Sequence, residues 1–124
     1  MNSPEDWPKI LAEMVGMKAW LAYRRNTTRD LLDFAALTHV AGEAAALASL
    51  RQLDERYGET QSRSVALSVA QALSDPRPYD FAETSLANYK GLRTEWHDWR
   101  CTQSICQHLG LRLGETLIGG DTNE

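Results

Sequence analysis

The tract from Leu31 to Tyr57 constrains this chain most: alanine and leucine, both strong helix formers, recur through it and no proline interrupts it. Gly58 follows, a residue suited to the left-handed conformation that ends helices. The tract therefore predicts one helix over 29–57. Within it Ala41, Gly42, Ala44, Ala45, Ala46 and Ala48 carry so little bulk that a second helix can approach the backbone closely. The expectation is a central, most buried helix in which Ala44 and Ala45 tolerate no larger side chain.

The flanking segments carry the same period. Trp7, Ile10, Met14, Met17 and Leu21 recur at spacings of three and four, joined by Leu11, Val15 and Trp20, and predict a first helix over 7–25. The polar run Arg24 to Asp30 reads either as a short turn with Thr28 as the next cap or as the middle of one long bent helix. Val65, Val69 and Leu73 mark a helix over 62–74, which Asp75-Pro76-Arg77-Pro78 terminates. Asp80-Phe81-Ala82-Glu83 has capping-box spacing and opens a helix over 81–109, with Tyr89, Leu92, Trp96, Trp99, Ile105, Cys106 and Leu109 as its stripe and Gly110 as its end. Leu111 to Ile118 is then one more helical turn or a short extended arm, and 119–124 a frayed tail. No segment sustains a period of two. The reading is all-α: a small bundle of about four helices with a short irregular C-terminal tail, a single domain over 1–118.

Composition agrees. At 124 residues, 43% hydrophobic and 24% charged, the chain has the make-up of one globular domain. The formal net charge of -4 argues against generic binding to DNA, RNA or an acidic membrane. Cys101 and Cys106 lie about 140° apart around a helix, a poor geometry for a mutual disulfide, so both read as free thiols of a reducing, cytoplasmic environment. Early acids and interspersed lysines exclude a secretion leader, and the longest uncharged run, Ser64 to Ser74, is too short and too polar to span a bilayer.

Catalytic chemistry finds little purchase. His97, Cys101, Cys106 and His108 are zinc-ligand types, but on one helix they point in different directions and do not converge. His39 and Glu43, one turn apart, have the form of a base with an orienting carboxylate, yet no nucleophile can be assigned to them. Phosphate-loop, nucleophile-elbow, His-Glu-x-x-His and Cys-x-x-Cys patterns are all missing from the sequence. Glu13, Asp33, Glu43, Asp54 and Glu55 fall where solvated helix faces are expected. The expectation is a non-enzymatic chain without cofactor or metal.

Binding residues stand out more. Arg24, Arg25 and Arg29 form the main basic concentration, able to grip phosphates or an acidic partner and placed to complement a helix dipole. Four tryptophans exceed what a core this small needs, and Trp96 and Trp99 sit one turn apart among charged neighbours. These five residues are the expected partner-contact set, with a protein partner or self-association favoured over nucleic acid bound through the arginines.

The style of Trp20-Leu21, Leu31-Leu32, Gly42-Glu43-Ala44, Leu47, Leu50 and Leu53 is similar to that of small helical accessory proteins encoded by bacteriophages, over about residues 14–57. The resemblance implies a virion-assembly component, or alternatively an anti-CRISPR-like inhibitor of a host defence system, acting by binding in the bacterial cytoplasm or in the virion.

Overall fold

The structure, a computed structural model, describes residues 7–58, 64–81 and 98–119. Among them the fold is all-helical, with six helices: α1 (Trp7–Arg25), α2 (Thr28–Ala41), α3 (Glu43–Leu50), α4 (Leu53–Tyr57), α5 (Val65–Ser74) and α6 (Trp99–Gly119). No described helix is long and apolar enough to cross a membrane.

The break between α1 and α2 is real. Asn26 adopts φ 53°, a left-handed value that asparagine tolerates better than most residues, and so turns the chain out of α1. Thr27, one residue earlier than expected, is the N-cap of α2 and accepts from the Asp30 amide. Asp30 is 1% exposed, receives two hydrogen bonds from Arg25 and one from the Thr27 hydroxyl, and so locks the turn from inside. Asp80 closes the turn from outside: its Oδ1 accepts from both the amide and the hydroxyl of Thr28. The Asp80 carboxylate thus acts on a helix start 52 positions away, while the remainder of the expected capping box, residues 82 and 83, lies outside the described residues. Asn26 completes the joint by donating to the Arg77 carbonyl and accepting from the Tyr79 amide.

The predicted helix over 29–57 is three helices. Gly42, at φ 96° and ψ 154°, leaves helical space and ends α2, its amide donating to the Thr38 carbonyl. A tightened turn at Arg51 and Gln52, with Gln52 N donating to Ser49 O, separates α3 from α4. Gly58 follows α4 in a right-handed conformation at φ -91°, not the left-handed one expected. Of the alanines credited with close packing only Ala46 is fully buried, and Ala44 is exposed. The tract is therefore not one central helix.

Close approach occurs elsewhere. A Cβ on Gly16 would lie 2.7 Å from Ser49 Oγ, which brings α1 tightly against α3. The inward face of α1 is Val15, Ala19 and Ala22, whereas the larger Met14 and Met17 face solvent. Small residues set the distance here, and Met14 and Met17 are left outside while Ile10 and Leu21 are half-buried. The core is completed by Leu31 and Phe34 of α2, Ala46, Leu47 and Leu50 of α3, Leu53 of α4, Val69 and Leu73 of α5, and Cys106, Leu109 and Leu113 of α6.

Helix α5 starts at Val65, capped by Ser64 and by the Asp54 carboxylate; the first residues of the predicted helix, 62 and 63, lie outside the described residues. Its end before Pro76 is as expected. Of the predicted helix over 81–109, residues 82–97 lie outside the description. Its C-terminal half exists but does not end at Gly110: α6 runs on to Gly119, so of the two expectations for 111–118, a further helical turn or a short extended arm, the helical one holds, as an unbroken continuation of α6. Residues 120–124, most of the expected frayed tail, also lie outside the description.

Candidate interaction surface

The continuation of α6 past Gly110 builds the most distinctive surface among the described residues. Gly110 is packed so tightly on α5 that a Cβ would fall 2.6 Å from the Ser74 amide nitrogen and 2.8 Å from the Ala70 carbonyl oxygen. One turn later, a Cβ on Gly114 would meet nothing among the described residues within 4 Å. The two helices touch at Gly110 and part beyond it. The gap is an open groove of about 660 Å³, walled by Leu67 and Ala70 of α5 and by Gly110, Leu111, Gly114 and Ile118 of α6. Leu111 is 59% exposed and Ile118 80% exposed, so two large aliphatic side chains stand at the groove with their surfaces in water. Gln71, Ser74 and Glu115 give it a polar border.

A smaller cleft of about 340 Å³ lies where α2, the start of α3 and α6 meet, and it brings together His39, Glu43 and His108. The Glu43 carboxylate lies 3.0 Å from His108 Nε2 and accepts from Arg112 at 3.2 Å. The His39 and Glu43 pair anticipated on one helix straddles the Gly42 break, and Glu43 serves to clasp α3 to α6. Cys101 is exposed and Cys106 fully buried, which pushes the Cys106 thiol up to about 12. His97 lies outside the described residues.

Of the five expected contact residues, Arg24, Arg25, Arg29 and Trp99 lie among the described residues. Arg24 stacks over the Trp20 ring at 5.4 Å, Arg25 is held in a two-pronged pair with Asp30, and Arg29 is exposed. Asp30 and Asp80 are interleaved with the three cations, so the cluster is not a continuous basic field. Trp99 is half-buried, packs against the core and lies 4.9 Å from Phe81, ring centre to ring centre, while Trp96 lies outside the described residues. Trp20 is likewise a partner to other rings, stacked on Tyr57 at 4.7 Å and 6°.

Leu111, Gly114 and Ile118 escape the sequence reading because it ends the helix at Gly110. The signal was present: Leu111, Gly114 and Ile118 continue the three-four spacing, with a glycine at a position that a helix ordinarily gives to a larger residue.

No family model matches the chain. No solved structure matches it. Among curated proteins it is 26% identical over 106 residues to the mycolic acid-containing lipids exporter MmpL11 of Mycolicibacterium smegmatis, an alignment covering 84% of this chain and 11% of the exporter. The chain thus spans about a tenth of the length of that protein.

Proposed function

We propose that this chain is a non-enzymatic helical interaction module whose α5–α6 groove receives an amphipathic helix of a protein partner. The observation that carries the reading is Gly114. A glycine inside a helix costs about 1 kcal/mol relative to alanine. At Gly110 the approach of α5 accounts for that cost, whereas at Gly114 no neighbour among the described residues does. A helix backbone laid into the groove would use the missing side chain, with Leu111 and Ile118 packing on either side of it. The partner's apolar face would cover both aliphatic side chains and leave Gln71, Ser74 and Glu115 at the rim.

The resemblance to phage accessory proteins would make the partner a virion or host-defence component. The alignment with a short stretch of a much longer exporter would instead make it a component of a transport assembly. A second copy of the chain is a further occupant the experiment can return. The arginine cluster supports a nucleic-acid reading less well, because Arg25 is already paired with Asp30 and the formal net charge is -4.

Quantitative capture from host lysate tests the reading, with the wild-type chain, a Leu111→Asp/Ile118→Asp variant and an Arg24→Ala/Arg29→Ala variant as baits. A protein held by the wild type and the arginine variant but lost from the groove variant supports it. Loss from the arginine variant alone, with salt-dependent retention on a polyanion matrix, would replace it with nucleic-acid binding.

A further inference from the structure

We draw no further inference here: the strongest candidate, the polar cleft where Glu43 at the start of α3 meets His108 and Arg112 of α6, carries nothing, because Glu43 already engages both of these groups, the unpartnered Thr38 hydroxyl on its wall is sealed from solvent, and no three ligand-type side chains among the described residues are grouped to hold a metal.

Discussion

Gly110 and Gly114 lie one turn apart on α6 in opposite situations: the first has no room for a methyl group, the second has nothing among the described residues within 4 Å of where one would sit. Their alanine substitutions should therefore have opposite signs. Gly110→Ala forces α5 and α6 apart at backbone atoms and should destabilise by about 1–3 kcal/mol. Gly114→Ala removes a helix-interior glycine without a clash and should stabilise by about 0.5–1 kcal/mol. Urea midpoints measured on the two variants check this, and equal signs would refute the described geometry.

The joint between α1 and α2 makes stability depend on acid pH. The Arg25 guanidinium, helped by the Thr27 hydroxyl, holds the Asp30 carboxyl below its ordinary range although burial opposes it. The Thr28 amide, then its hydroxyl, does the same for Asp80. Both groups bind protons less readily folded than unfolded, so their contribution is complete above an unfolded carboxyl value of about 3.9 and disappears as pH falls through the lower folded values. The unfolding midpoint should drop on acidification in that window, and Asp30→Asn and Asp80→Asn should each flatten the drop. Thr27→Ala, which removes the cap, should cost about 1 kcal/mol at neutral pH.

The alanines of α3 should separate sharply. Ala46 is fully buried and Ala44 exposed, so Ala46→Leu should cost about 1–3 kcal/mol and Ala44→Leu should stay within about 0.5 kcal/mol of wild type. Thermal melts of the two variants decide it.

A thiol reagent should find one reactive cysteine in the folded chain, Cys101, and two after denaturation without prior reduction. Burial both shields Cys106 and suppresses its thiolate, with the thiol pushed up to about 12. Equal rates for both cysteines in the folded chain would contradict the placement of Cys106.

Much of the helical content was legible because the period was strong: α1 spans the residues its stripe predicted, and α5 stops before Pro76 as expected. Which face turns inward was not. In α1 the large side chains at positions 14 and 17 marked the apparent core face, yet Gly16, Val15, Ala19 and Ala22 let the neighbouring helices come closer and took the interior. A hydrophobic pattern weighs size, whereas packing distance here rewards smallness. The glycines were misread for a related reason. Gly42 breaks a tract whose composition favours helix and Gly110 continues one that it was expected to end, because backbone conformation at a glycine depends on the tertiary neighbour. Asp80 illustrates a third limit, since a carboxylate with local capping spacing serves a partner far away in sequence.

The most direct test of the central claim is the affinity of a captured partner for the wild type against Gly114→Leu, measured alongside the stability of both. Leucine meets no neighbour among the described residues within 4 Å at its Cβ and improves helix propensity, so the variant should be folded and at least as stable as wild type. It also fills the floor of the groove, and binding should weaken by about 2 kcal/mol or more, roughly thirtyfold. A variant that is more stable yet no longer binds is the predicted result. Undiminished binding by a stable Gly114→Leu chain would show that the partner does not enter this groove.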